Sequence, residues 1–217
     1  MLHRMRGRLD IGARLGAAAV ALVGAASLAA QPWVTAQMTG VPPLGAASFA
    51  IMSAFFTNLT ALLSVLVFAA LALTGRRAAW VTGMIAASMI VVALVYHAAL
   101  AQLWEPRGIA LWADRMLHTV LPAMVCAWWL WVPSRPLPGH APIGWLVWPG
   151  FYAVLAIGGG ALRGWYPYPF LDVAALGAAA VAGNMALLAG VFLLAGYGLW
   201  ALGRLSAQSE SPGSSSR

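Results

Sequence analysis

From Leu15 through Gly75 the chain contains no aspartate, glutamate, lysine or arginine. A soluble domain is not built on such a stretch, because about a quarter of the residues in a globular domain are charged. Here the 217-residue chain is only 8% charged and is 62% hydrophobic. Several further apolar runs reach the ~18–20 residues that cross a bilayer core. In lipid each backbone N–H and C=O must be satisfied within the chain, so runs of this length read as helices. The expected fold is all-α, a polytopic membrane protein.

Six spans are expected, near residues 13–31, 48–74, 78–101, 111–132, 143–161 and 174–203. A basic N-terminus covers 1–12 and a short polar, disordered tail covers 204–217. The basic start and apolar middle of the first thirty residues also fit a cleaved signal peptide; we read them as the first span. Every basic residue is arginine. Arg4, Arg6, Arg8, Arg14, Arg76, Arg77, Arg135, Arg204 and Arg217 fall on one side of a six-span arrangement. Only Arg107 and Arg163 fall in loops on the other, with Arg115 just inside the fourth span. By the positive-inside rule both termini are cytoplasmic. The abundance of alanine with arginine suggests a bacterial inner membrane. Cys126 is the sole cysteine, which excludes an internal disulfide framework. The net charge of +7 comes without any basic, aromatic-interleaved patch, which argues against nucleic acid as a partner. Gly177, Gly183, Gly190 and Gly196 in the last span are expected to mark close helix packing.

Within this apolar chain the stretch "FFTNLTALL", residues 55–63, places Thr57, Asn58 and Thr60 together. On a continuous second span Thr57 would lie about nine residues in, or ~13 Å at 1.5 Å per residue. His118 in the fourth span falls at a similar depth, and His97 and Asn184 fall in the same half of the membrane. Asp114 lies four residues before His118 and so shares its helix face. Intramembrane ionisable groups are rare and face a bundle interior or a cavity. Pro122 in "HTVLP" would free the His118 carbonyl and kink the helix. A hydroxyl needs an adjacent base to act as a nucleophile, and imidazole is the usual one. If the second and fourth spans pack together, Thr57 and His118 could form such a pair, with Asp114 holding the imidazole tautomer. A site opening to lipid suits an acyl-chain ester. Neither a GxSxG elbow nor an HExxH metal helix occurs.

The segments "FFTNLTALL", "MLHTVLP" and "RGWYPYPFLDV" together resemble the bacterial "Pr-six-Pr" membrane proteins. These are similar in turn to the animal androgen-induced and androgen-dependent membrane proteins, intramembrane threonine hydrolases of fatty acid esters of hydroxy fatty acids. The resemblance covers roughly residues 10–203. It implies that Thr57, following Phe55 and Phe56, is the nucleophile and that His118 is the base, with no metal or cofactor. Asn58 and Thr60 would line or pack beside the pocket.

Two other readings stay open on the residues. A membrane protein that binds or transports a lipid or small molecule would use the same polar half, with Arg163 and Asp172 of the aromatic outer loop contributing. Alternatively His97 and His118 could be axial ligands of a haem held between the third and fourth spans.

Overall fold

A computed structural model describes residues 8–132 and 137–209. Arg4, Arg6, Arg135 and Arg217 of the topology reading, and most of the polar tail, lie outside the described residues. Six helices are long and apolar enough to cross a membrane: Ile11–Thr39, Phe56–Thr74, Ala79–Leu103, Ile109–Trp131, Ala141–Arg163 and Ala178–Leu205. Large apolar side chains such as Leu22, Leu66, Leu73, Leu162, Leu187 and Leu194 face outward, as the lipid-facing side of a membrane bundle must.

The first helix, α1 (Ile11–Thr39), starts at Asp10, whose carboxylate accepts from the Ala13 amide at 2.8 Å, and ends at Gly40 in the left-handed region. It runs eight residues past the expected end of the first span. The second expected span is not one helix but two, α2 (Ala46–Met52) and α3 (Phe56–Thr74). The third consists of α4 (Ala79–Val95), a wide turn over Tyr96–Leu100 and a tight turn over Ala101–Leu103. The fourth has α5 (Ile109–Arg115), a second wide turn over Met116–Val120, and α6 (Leu121–Trp131). In each wide turn the closing bond reaches five residues back, Ala101 N–H to Tyr96 O and Leu121 N–H to Met116 O. These are π-type turns, which commonly occur at functional sites. The fifth span is α7 (Ala141–Gly144) followed by α8 (Val147–Arg163); α9 (Val173–Leu176) then leads into α10 (Ala178–Ser209).

The break before α3 changes the depth of Thr57. Nineteen residues at 1.5 Å give α3 a length of ~28 Å, close to the ~30 Å of a hydrocarbon core. Thr57 therefore lies in the first turn at the rim of that helix, not ~13 Å along a continuous one. At the opposite end of α3, Arg14 Nε donates to Ala72 O at 2.8 Å, Arg14 also donates to Leu73 O at 3.1 Å, and Arg8 donates to Thr74 O at 2.6 Å. Cations on the last carbonyls of a helix complement its dipole. The arginines that mark topology thus also cap a helix.

One apolar core joins the arginine half of the bundle through Ala17, Phe68, Leu117, Leu121, Val125 and Trp128. A second, aromatic-rich core gathers Phe56, Tyr152, Tyr168 and Phe192 at the other end. The glycine expectation fails for much of the last span. Gly196 meets Pro142 and Trp145, but a Cβ at Gly183 or Gly190 would meet nothing within 4 Å. Only 6% of the α10 window is buried, and Gly183 and Gly190 lie on its open side, whereas Asn184 and Phe192 of the same stretch contact Phe170 and Phe56.

Candidate functional site

The helix break at Ser53–Phe55 leaves backbone groups without intrahelical partners, and in lipid each must find another. Asn58 Nδ2 turns back and donates to Met52 O at 3.0 Å, while Tyr152 OH donates to Ala54 O at 2.8 Å. The amides of Phe56 and Thr57, in the first turn of α3, face the phenol of Tyr168, which also meets the Thr57 side chain. Thr60 accepts from Trp148 Nε1 at 3.0 Å. The cluster of polar residues in "FFTNLTALL" therefore has a structural cause: it closes a break in a membrane helix. Thr57 is the member left facing open space.

That space is a pair of cavities that share Thr57, Tyr96, Leu100 and Tyr168 in their walls. One, about 210 Å³, is lined by apolar groups such as Val91, Val92, Leu188 and Phe192, with tyrosine hydroxyls and Thr57 as its few polar groups. The other, about 280 Å³, adds Asn58, Asp114 and His118, with Gln31 and Thr35 from the last third of α1. The aromatic loop between α8 and α9 covers both: Pro167, Tyr168 and Pro169 line the larger, and Tyr168, Phe170 and Leu171 the smaller. Gly160 lets this loop close, because a Cβ there would lie 2.2 Å from the Tyr166 ring.

His118 is held from two directions. Its Nδ1 lies 3.1 Å from Asp114 Oδ1 and 3.1 Å from Asp114 O. Its ring stacks on Tyr96, with centroids 3.7 Å apart and planes 8° from parallel. Asp114 is buried, at 8% side-chain exposure. The Tyr96 hydroxyl faces the Asp114 carboxylate and accepts from Trp104 Nε1 at 3.3 Å. With Nδ1 so engaged, Nε2 is the ring nitrogen that remains for a substrate or nucleophile. Both π-type turns contribute: one carries His118 and the other begins at Tyr96. No direct hydrogen bond joins Thr57 to His118 among the described residues; both line one cavity.

The structure thus brings together Thr57, Asn58, Asp114 and His118 of the residues expected from sequence. Four others lie elsewhere. His97 is exposed: its Nε2 meets Thr119 Oγ1 at 3.0 Å and its ring packs edge-on against Tyr96 at 5.2 Å, outside both cavities. Asn184 donates to Phe170 O at 2.9 Å and so anchors the aromatic loop. Arg163 lies over the Trp165 ring at 5.0 Å. Asp172 caps α9 by accepting from Ala175 N at 3.0 Å. The haem reading does not fit this geometry. One candidate ligand lines the larger cavity, and the other is exposed and lines neither cavity. Among the described residues no group of three or more metal-ligating side chains converges.

Sequence reasoning missed Tyr96, Trp104, Gln31 and Thr35 as cavity residues. Gln31 carried a usable signal, as a polar side chain at the end of an apolar run. Tyr96 and Trp104 carried none, since aromatic side chains near the ends of membrane spans are common whatever they line. Comparison with known protein families, characterised proteins and solved structures returns no match to this chain.

Proposed function

We propose that this protein is an intramembrane hydrolase of lipid esters, with Thr57 as nucleophile, His118 as base and Asp114 as the group that orients His118. The observation that carries the reading is that Thr57 and His118 line one cavity while Asp114 engages His118 Nδ1. In the step proposed, Thr57 Oγ1 forms a bond to the ester carbonyl carbon and passes its proton to His118 Nε2. That proton then leaves with the alcohol, and water releases the acyl group from Thr57 by the reverse sequence. In unliganded enzymes the nucleophile–base contact is often open and tightens around substrate, which accommodates the absence of a direct Thr57–His118 bond. The resemblance of "FFTNLTALL" and "HTVLP" to the threonine hydrolases supports the same pair. A bacterial inner membrane and cytoplasmic termini belong to this proposal, on the arginine distribution.

Labelling of membranes by a lipophilic fluorophosphonate tests it. Wild type is expected to label, and Thr57→Ala and His118→Ala to label at background, with Thr57→Ser retaining reactivity. Full labelling of a folded Thr57→Ala would sink the nucleophile assignment. A second reading, a lipid-binding protein without chemistry, draws on the nearly all-apolar character of the smaller cavity. It predicts saturable binding of a fatty acid and no covalent adduct.

A further inference from the structure

An acyl-transfer site needs more than a nucleophile and a base. The carbonyl oxygen gains negative charge as the tetrahedral intermediate forms, and a donor held at that position is usually the largest single contribution to rate. In a membrane cavity the requirement is sharper, since little water is present to solvate the oxyanion. Asn58 is drawn toward the helix break, one of its amide N–H groups donating to Met52 O. Tyr152 cannot serve, because its proton goes to Ala54 O. The Tyr96 hydroxyl accepts from Trp104 and faces Asp114.

Tyr168 is the phenol that borders both cavities beside Thr57. It is buried, lies in the walls of both cavities, and meets Thr57 where they join. Its ring is fixed by Phe170, stacked at 5.2 Å and 4° from parallel, and by Phe55, edge-on at 5.8 Å. The amides of Phe56 and Thr57 face its hydroxyl. The Thr57 and Tyr152 side chains meet the same hydroxyl, so the O–H is held beside Thr57, where the ester carbonyl would lie during attack.

Resting on the hydrolase reading above, we infer that Tyr168 is a further catalytic residue, whose O–H donates to the ester carbonyl oxygen as it becomes an oxyanion. The Tyr168 proton stays on the phenol throughout; electrons of the C=O bond move onto the carbonyl oxygen as the Thr57 Oγ1–carbon bond forms, and return as the alcohol leaves. Burial pushes the Tyr168 phenol above its ordinary range, against the opposing effect of the Thr57 and amide bonds, so it remains a donor at physiological pH. The tyrosine of the "YPYPF" loop thereby acquires a reason to cover the cavity.

The test is hydrolysis of p-nitrophenyl octanoate by the full chain in nanodiscs, comparing wild type, Tyr168→Phe and Thr57→Ala, with a melting curve for each. Losing one oxyanion donor lowers kcat by about 100- to 1,000-fold. Tyr168→Phe is expected to show that loss with KM within a few-fold, together with a modestly lower melting temperature, because the hydroxyl also faces the first-turn amides of α3. A folded Tyr168→Phe with wild-type kcat, beside an inactive Thr57→Ala, overturns this inference and leaves the hydrolase reading standing. Wild type that neither hydrolyses the ester nor labels with the fluorophosphonate overturns both. If Tyr168→Phe does not fold, 2,3,5-trifluorotyrosine at position 168 keeps the hydroxyl but makes the phenol much more acidic. A donor role then produces a loss of kcat on the alkaline side that wild type lacks; an unchanged profile overturns the inference.

Discussion

Replacing Asp114 by asparagine isolates the charge of the carboxylate from its geometry. The His118 Nδ1 proton faces two acceptors, Asp114 Oδ1 and Asp114 O, each at 3.1 Å. Asparagine keeps the side-chain length, and the backbone carbonyl keeps the tautomer, so Nε2 stays free. What is lost is the difference between a hydrogen bond to a charged group, ~1.5–3 kcal/mol, and one to a neutral group, ~0.5–1.5 kcal/mol. That difference is about 1–1.5 kcal/mol, or roughly 5- to 10-fold in rate at ~1.36 kcal/mol per decade. The rate constant for fluorophosphonate labelling in nanodiscs reads it directly. Asp114→Asn is expected to label roughly 5- to 10-fold more slowly than wild type, and to change nothing in a His118→Ala background, because groups acting as a unit are non-additive. Wild-type labelling by Asp114→Asn, or an equal slowing in both backgrounds, would refute the role given to Asp114.

Three further outcomes follow from the same geometry. Asn58→Ala strips the Met52 carbonyl of its donor at the helix break, and should lower stability by about 1–3 kcal/mol, read as a lower melting temperature in detergent. Gly160→Ala drives a methyl into the Tyr166 ring and so displaces the loop that carries Tyr168; it should cost about 1–3 kcal/mol and lower ester hydrolysis beyond that destabilisation, whereas intact hydrolysis would separate the loop from the site. His97→Ala, on the exterior beside Thr119, should label like wild type, and a loss of labelling would return His97 to the site.

How much of this was legible in the sequence depends on the range of each interaction. The Asp114–His118 contact was, since i and i+4 on a helix are neighbours whatever surrounds them. The break before Thr57 was not. Ser53, Ala54 and Phe55 include neither glycine nor proline, and the groups that satisfy the freed backbone, Tyr152 and Tyr168, come from about a hundred residues away. The kink foreseen at Pro122 takes the form of a π-type turn over Met116–Val120, and its counterpart at Tyr96–Leu100 has no proline to announce it. His97 illustrates the cost: at the right depth in the right helix, it was expected near the cavity, and within the widened turn it lies outside.

The sequence by itself determined that this chain is a six-helix membrane protein. Length and uniform apolarity set each span, because lipid leaves an isolated backbone no other way to satisfy its hydrogen bonds. It also determined which few polar side chains required a partner. Which partners they found was decided by the tertiary structure alone. Asn58 and Asn184 became backbone donors, Thr57 came to face a cavity, and the tyrosine of a distant loop came to rest on it. Those outcomes depend on where a helix stops and on what crosses over it, and such contacts between remote segments leave no periodic trace in the chain.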